Sequence, residues 1–463
     1  MTVGTEAQPL RVAIFGSGPA AFYAAEHLFK QKQFAIEVDM FDKLPVPFGL
    51  VRYGVAPDHL KIKQVTKVFN GIAANPRFRF FGNVELGRDV TLAEIETYYH
   101  QILFATGAQT DRHMGIPGED LRDSHPATEF VAWYNGHPEY RDRHWNLDVE
   151  HAAVIGVGNV AIDVARILCL THEELLASDA ADYAVEALSK SKIKEVYLLG
   201  RRGPAQAAFT NPEIKEVGEL AGADIVTQGD ETQLDPLSAA SIADDRTLQK
   251  KVEILQSYAV ARPLTKPRRL NLRFLVSPTE LVGDAQGNIV KMKLVHNTLV
   301  STEAGSLKSK PTDRFEEIEV GLVFRSVGYR GVALPGVPFH ERWGVIFNER
   351  GRVIDAESKQ PVIGLYTSGW IKRGPSGVVG TNKPDSVETV TCMLEDLSTG
   401  SILQPTNATA AAAEKLIRER RPDYFSYADW KRLDELELER GKACGRPRLK
   451  FTSVAEMKKA LGK

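Results

Sequence analysis

Cysteine is scarce: Cys169, Cys392 and Cys444 are the only three in 463 residues, and they stand far apart. No C-x-x-C occurs, so the chain encodes neither a local zinc knuckle nor a redox-active dithiol. Thiols placed this way read as buried or incidental residues of a reducing compartment. No apolar run approaches the roughly 20 residues that a membrane-spanning helix needs. An excess of charge is missing too, since 58 basic and 60 acidic side chains leave a net −2 at pH 7. That balance speaks against a dedicated nucleic-acid binder. The opening residues MTVGTEAQPL carry neither a signal-peptide core nor the Arg-rich character of a transit peptide. Asn407, Ala408 and Thr409 match a glycosylation sequon, which without a secretory signal reads as chance. A cytoplasmic protein is expected. What remains is ordinary globular material, 43% hydrophobic and 25% charged, in a length that calls for two or three domains.

The stretch Val12 to Leu28, VAIFGSGPAAFYAAEHL, is the most informative one. A short buried-strand pattern runs into Gly16, Gly18 and Ala21, a G-x-G-x-x-A that opens an Ala-rich helix pattern. Gly16 permits the tight turn, Gly18 lets a pyrophosphate approach the backbone, and Ala21 allows close helix–strand packing. The helix start then offers free N–H groups and a positive dipole end to the phosphates. Alone the motif is weak, but the next strand pattern, EVDMFDK, ends in Asp42, placed to accept from ribose hydroxyls. The unit starts again at His151 to Leu168, HAAVIGVGNVAIDVARIL, where Gly156, Gly158 and Ala161 repeat the spacing. There the following strand ends in Gly200, Arg201, Arg202 and Gly203 instead of an acid. Two guanidinium groups at that offset suit a 2′-phosphate. The first site therefore reads as FAD and the second as NADP.

Other segments are less decisive. Lys43 to Lys63 is rich in Pro and Gly, with a helix expected near His59; it reads by composition as a surface crossover, the alternative being a loop laid over a flat cofactor near Leu50. Phe78 to Leu86 reads as a strand with hairpin character and Gln101 to Gln109 as a buried strand. Three strands are expected between Arg273 and Gly331, with a hinge at Gly328 to Gly331. Pro361 to Lys383 offers a strand, Trp370 and a glycine-rich helix start at Gly377 to Gly380, which reads equally as a flavin-facing helix start or a structural turn. The charged C-terminal helices read as solvated or packing faces.

Together these segments resemble the adrenodoxin-reductase-like ferredoxin–NADP⁺ reductases, including actinobacterial members. The resemblance covers nearly the whole chain and is most specific in VPFGLVRYGVAPDH, IGVGNVAIDVARIL, GRRGPAQAAFT, RSVGYRG and GWIKRGPSGVVGTNK. Pro19 and the terminal Ala21 of the first glycine motif are shared by the family, whereas the presequence of its mitochondrial members is absent, which favours a bacterial protein. The likeness implies FAD contacts at Ala21, Asp42, Leu50, Leu86, Trp370, Gly377, Val378 and Val379. It implies NADP contacts at Arg112, Val157, Gly158, Asn159, Val160, Arg201, Arg202 and Glu213, with Gly377 touching both cofactors. His59 and Glu213 fall where the family has polar groups near the nicotinamide–flavin meeting point, as helpers in positioning or proton supply; for His59 a structural role is an equal alternative.

The expected fold class is α/β, with two doubly wound Rossmann-like domains and the NADP domain inserted in the FAD domain. Residues 1–107 and 331–463 would form the FAD domain and residues 108–330 the NADP domain. The implied function passes a hydride from NADPH to FAD and then single electrons to an iron–sulfur ferredoxin. A thiol-based disulfide reductase is disfavoured by the missing C-x-x-C. An NADPH-oxidising flavoprotein subunit of a larger complex and a non-catalytic nucleotide-binding sensor stay as alternatives. No metal site, nucleic acid or membrane partner is expected. One segment is cationic: Arg246, Lys250, Lys251, Arg262, Lys266, Arg268, Arg269 and Arg273 face a single acid, Glu253. With Lys215 it reads as a docking surface for an acidic ferredoxin or, more plainly, as a solvated face.

Overall fold

Leu10–Phe15 (β1) is buried along its whole length, as a parallel strand covered on both faces must be. It leads through Pro19–Phe29 (α1) to Ile36–Asp42 (β2), which lies beside it in parallel register, Leu10 against Ile36 through Phe15 against Phe41. The computed structural model describes residues 3–260, 263–303 and 305–463. They divide into two units: Met1–Val55, His59–Thr110 and Tyr329–Lys463 in the first, Ala56–Asp58 and Asp111–Gly328 in the second.

The seven-stranded sheet of the first unit runs Asn348–Glu349, Arg352–Ile354, Pro361–Thr367, Gln101–Phe104, β1, β2, Phe78–Gly82. From Pro361–Thr367 to Phe78–Gly82 all pairings are parallel. Phe78–Gly82 is thus a parallel edge strand and not part of a hairpin, and Gly82 instead bridges to Phe425. The Tyr427–Ala443 helix, started by a Ser426–Asp429 capping box, buries Trp430, Leu433 and Glu437. Of the solvated and packing faces its charge pattern allows, this helix has a packing one. In the structure Glu437 is fully buried and clasps Arg52 through two hydrogen bonds of 2.9 and 2.6 Å. Burial pushes the Glu437 carboxyl up, but Arg52 and Arg448 beside it overcome that and hold it below the usual carboxylate range.

The second unit repeats the plan. His151–Ile155 (β3), Asn159–Ile167 (α2), Glu195–Leu199 (β4) and Arg268–Arg273 (β5) build a six-stranded sheet ordered Ser124–Pro126, Leu322–Arg325, β3, β4, β5, Ala223–Thr227. Every pairing in it is parallel. Beside it stands an antiparallel sheet of Val276–Gly283, Ile289–Ser301 (β6) and Leu307–Glu319. Two of the strands expected here are each split between sheets. Leu275, at φ 55°, redirects the chain between β5 and Val276–Gly283, and Gly321, packed against Val149, separates Leu307–Glu319 from Leu322–Arg325. Among the described residues no helix is long and apolar enough to cross a membrane, and no group of three or more His, Cys, Asp or Glu could hold a metal ion.

Candidate functional site

The first glycine turn is built against the end of its own sheet. Gly16, at φ 102°, donates from N to Phe41 O at 2.8 Å, and a Cβ on it would sit 2.3 Å from Ala105 O. Gly18 caps α1 in extended conformation with no side-chain cap and no acid in the first turn. Nothing lies within 4 Å of where its Cβ would be. Free N–H groups and open room at a helix start are what a pyrophosphate needs. Asp42 is already engaged: Ser17 donates to it from N (3.0 Å) and from Oγ, and Leu44 donates from N (2.9 Å). A carboxylate offers about four acceptor sites, so capacity for a ribose hydroxyl is left. Burial pushes the Asp42 carboxyl above its ordinary range against these hydrogen bonds.

The Lys43 to Lys63 stretch is not the surface crossover its composition suggested. Val46, Phe48, Val51 and Tyr53 are buried core residues. Phe48 holds a φ of 87°, an uncommon conformation for a bulky residue, and donates from N to Ser17 O at 2.9 Å. A Cβ on Gly49 would lie 3.1 Å from Gly18 Cα, so this loop folds directly onto the glycine turn. Leu50 follows, 38% exposed, at the start of the short helix whose Arg52 is held by Glu437. From the other side, a Cβ on Gly369 would meet Ala20 Cβ at 2.7 Å, and Ser386 Oγ donates to Ala20 O at 2.9 Å. This sets Trp370 next to the start of α1, its ring edge-on to Tyr329 at 5.7 Å. Val379 packs against the core cluster that contains Ala20 and Ala21, beside an exposed Val378 and Gly377 at φ 78°. Leu86 is buried in the cluster of Phe15, Phe104 and Ile371. His59 caps the Leu60–Lys63 helix, its carbonyl accepting from Ile62 N at 3.1 Å. Ser17, Phe48 and Gly369 were not singled out from sequence, where only the serine carried a local signal, inside the glycine motif.

In the second unit Gly156, at φ 132°, donates to Leu199 O at 2.9 Å, and a Cβ on it would sit 2.3 Å from Ser326 O. Gly158 caps α2 with open space before it, no side-chain cap and no acid in the first turn. The buried Oδ1 of Asn159 has no hydrogen-bond partner. Val157 abuts the arginine turn, since a Cβ on Gly200 would lie 2.8 Å from Val157 Cγ1. Arg201 is exposed and Arg202 half-buried, and among the described residues neither has a carboxylate partner. Burial, then the neighbouring Arg201 charge, push the Arg202 guanidinium below its usual range. Arg112 donates from N to Gly328 O at 2.9 Å and lays its side chain against Gly328. Glu213 is turned back on its own helix start, accepting from Thr210 N at 2.7 Å.

The cationic segment is mostly spent inside the second unit. Lys251, expected as a docking residue, is 5% exposed; its ammonium donates to Ala207 O and sits 5.9 Å from the Phe209 ring. It faces inward because α-helical spacing puts it with Val252, Ile254 and Leu255 on the buried side of Arg246–Tyr258. Arg273 pairs with Glu231 and Glu316, Arg269 with Glu195, and Arg268 and Lys266 donate to backbone carbonyls. Arg262 lies outside the described residues. Lys215, Arg246 and Lys250 remain exposed, Lys250 paired with Glu253 at 2.8 Å.

The donor sets fit two dinucleotides. The first turn offers an uncapped helix start, open room, an acid and exposed apolar neighbours, which suits FAD. The second adds an orphaned amide oxygen and two unpartnered guanidinium groups, which suits NADP(H). A protein so built is a flavoprotein oxidoreductase that binds both FAD and NADP(H). A profile of the pyridine nucleotide-disulphide oxidoreductase family matches residues 10–216. The "probable ferredoxin/ferredoxin--NADP reductase" of Mycobacterium bovis is 43% identical over 455 residues, 97% of this chain and 75% of that protein. Human mitochondrial "NADPH:adrenodoxin oxidoreductase" is 38% identical over 472 residues, 99% of this chain and 93% of that one. The solved structure of Mycobacterium tuberculosis FprA in complex with NADPH matches with a TM-score of 0.92 at 41% identity, covering 98% of this chain and 100% of that one. The chain belongs to the adrenodoxin-reductase-like ferredoxin–NADP⁺ reductase family.

Proposed function

We propose that this protein is an FAD-dependent ferredoxin–NADP⁺ reductase, and the observation that carries the reading is the pair of like glycine turns with opposite charges at their ends. FAD, when bound, supplies the chemistry of accepting a hydride from NADPH and releasing electrons singly to an iron–sulfur ferredoxin. The residues of the chain bind, orient and exclude water. In the first unit, the FAD domain, Gly16, Gly18 and Ala21 shape the pyrophosphate cradle and Asp42 takes a ribose hydroxyl. Leu50, Leu86, Trp370 and Gly377 to Val379 flank the flavin. In the second unit, the NADP domain, Val157 to Val160 hold the pyrophosphate, Arg201 and Arg202 read the 2′-phosphate, and Arg112 and Glu213 complete the contacts. His59 and Glu213 act in positioning or proton supply; no side-chain nucleophile is called for.

A thiol route finds no support here: all three cysteines are free, and burial pushes the Cys169 thiol up to about 12. The ferredoxin named in the relatives makes an electron-transfer enzyme a better reading than a silent nucleotide sensor or a subunit of a larger complex. Lys215, Arg246 and Lys250 are the residues proposed to meet an acidic ferredoxin. The test is reduction of ferricyanide and of a purified [2Fe–2S] ferredoxin by the yellow protein with NADPH. Reduction of both supports the reading; failure with ferricyanide overturns an enzyme, and failure with the ferredoxin alone overturns the partner.

A further inference from the structure

Three consecutive carbonyls of the arginine turn are taken up by the strands next to it. Val276 N donates to Gly200 O at 3.0 Å, and Leu275 N donates to Arg202 O at 3.1 Å. Between them, the side-chain amide of Asn297 donates from Nδ2 to Arg201 O at 3.0 Å. The same Nδ2 donates to Ser277 Oγ at 2.8 Å, so both amide hydrogens are used. Asn297 is 7% exposed, and its own N donates to Leu275 O at 2.6 Å. Two local irregularities make this contact possible. Leu275 holds φ 55°, a left-handed conformation that costs a leucine energy. The pairing of β6 with Leu307–Glu319 shifts register between Val295 and Asn297, and such a bulge re-aims a side chain.

Arg201 and Arg202 are adjacent like charges with no protein counter-ion among the described residues, so their turn would relax unless its backbone were held. We propose that Asn297, braced by Leu275, is a specificity-determining positioning residue: it pins the backbone of the arginine turn so that both guanidinium groups stand ready for the 2′-phosphate. The inference rests on reading Arg201 and Arg202 as the 2′-phosphate site. Preorganisation of this kind adds affinity by removing the ordering cost at the moment of binding. Asn297 itself touches no part of the nucleotide in this scheme; it acts through the arginines.

The probes are adenosine 2′,5′-bisphosphate and 5′-AMP, which differ only in the 2′-phosphate, titrated calorimetrically into the FAD-loaded protein. Asn297→Leu should lower the preference for the bisphosphate by about tenfold, or about 1.4 kcal/mol. Asn297→Gln, which keeps an amide donor, should recover part of it. The ratio of two dissociation constants is insensitive to a misfolded fraction, which lowers only the stoichiometry. Should Asn297→Leu fail to fold, Asn297→Ala removes the donor without adding a charge and carries the same expectation. With Arg201→Ala and Arg202→Ala combined, adding Asn297→Leu should change the ratio no further. An undiminished effect in that background overturns the inference. So does a preference that falls for the arginine variants but not for Asn297→Leu. If the arginine variants themselves leave the preference intact, the 2′-phosphate reading fails instead.

Discussion

At Gly16 and again at Gly156 the chain makes one turn twice. Each glycine has positive φ, each donates to the last carbonyl region of the neighbouring strand, and each would drive a Cβ to 2.3 Å from a carbonyl, Ala105 O or Ser326 O. The caps Gly18 and Gly158 are both extended, uncapped and open. The surroundings differ. In the first unit the charges are consumed by protein: Asp42 is tied to Ser17 and Leu44, Arg52 to Glu437, and the Phe48–Gly49 loop folds onto Gly18. In the second, among the described residues, Arg201 and Arg202 have no carboxylate partner and the Oδ1 of Asn159 no hydrogen bond. A satisfied, overlaid turn suits a cofactor that stays. Unpaired cations suit one that comes and goes, because each arrival supplies the missing counter-charge. The backbone geometry is common to the two turns; what differs between them is the charge at their ends and how much of it the protein already satisfies.

The largest effect should come from closing each cradle in turn. Gly18→Val and Gly158→Val place side chains in open space at extended residues, so both proteins should fold. Gly18→Val should purify colourless and stay so after incubation with FAD. Gly158→Val should stay yellow yet lose NADPH-dependent ferricyanide reduction by roughly 100-fold or more, a loss of about 2.7 kcal/mol. A colourless Gly158→Val, or a yellow Gly18→Val, would sink the assignment of the cofactors to the two turns.

Next in size is the buttress of the first turn. Glu437→Ala takes the carboxylate away from the buried Arg52 and from Arg448 beside it, and losing one partner of a buried pair costs about 3–5 kcal/mol. Urea unfolding of the FAD-free protein measures it, with Glu437→Gln expected to lose less. A loss under about 1 kcal/mol, the value of an exposed pair, would show that the clasp does not support the loop.

Each unit also carries a histidine that resists protonation. Burial, then the Arg11 charge, pull His100 down to about 4, while Arg11 N donates to its Nδ1 at 3.0 Å. Burial, then Arg325 and Arg143, bring His125 to about 4 as well. Because the folded values lie below the unfolded one near 6.5, only the unfolded chain takes up protons between those limits. Stability is therefore full above pH 6.5 and falls on acidification towards pH 4. His100→Asn, which keeps an acceptor for Arg11 N, should flatten the slope of unfolding midpoint against pH over that window. An unchanged slope would mean that other groups set it.

How much of this could be read beforehand follows from range. Gly16, Gly18, Asp42, Gly156, Arg201 and Arg202 announce themselves because their roles depend on short offsets along one strand–turn–helix unit. Arg52 and Glu437 do not, being 385 residues apart, and a charged helix looks solvated until its partner is known. The positive φ of Phe48 and Leu275 leaves no trace in residue type, since neither phenylalanine nor leucine favours it. For the same reason composition alone does not separate a buried Lys43 to Lys63 loop from a surface crossover, and the pattern around Leu275 reads as one strand where the structure has two.

The smallest effect tests the charge run that sequence could not orient. Lys250 and Lys251 are neighbours in the chain, yet one is exposed beside Glu253 and the other is 5% exposed against Ala207 and Phe209. Burial pushes the Lys251 ammonium below its usual range, so it is a packing group and not a beacon. Lys251→Glu should accordingly destabilise the fold and impair every assay alike. Lys250→Glu should leave stability and ferricyanide reduction unchanged while slowing ferredoxin reduction, if the proposed docking surface is used. An exposed contact is worth about 0.2–1 kcal/mol, so the slowing should be no more than about fivefold. Steering of this kind fades as the Debye length falls from about 10 Å at 0.1 M salt to about 3 Å at 1 M. The difference between Lys250→Glu and the unmodified protein should therefore vanish at high salt. A salt-independent deficit, or none at low salt, would place ferredoxin docking elsewhere and leave Lys250 a solvated residue.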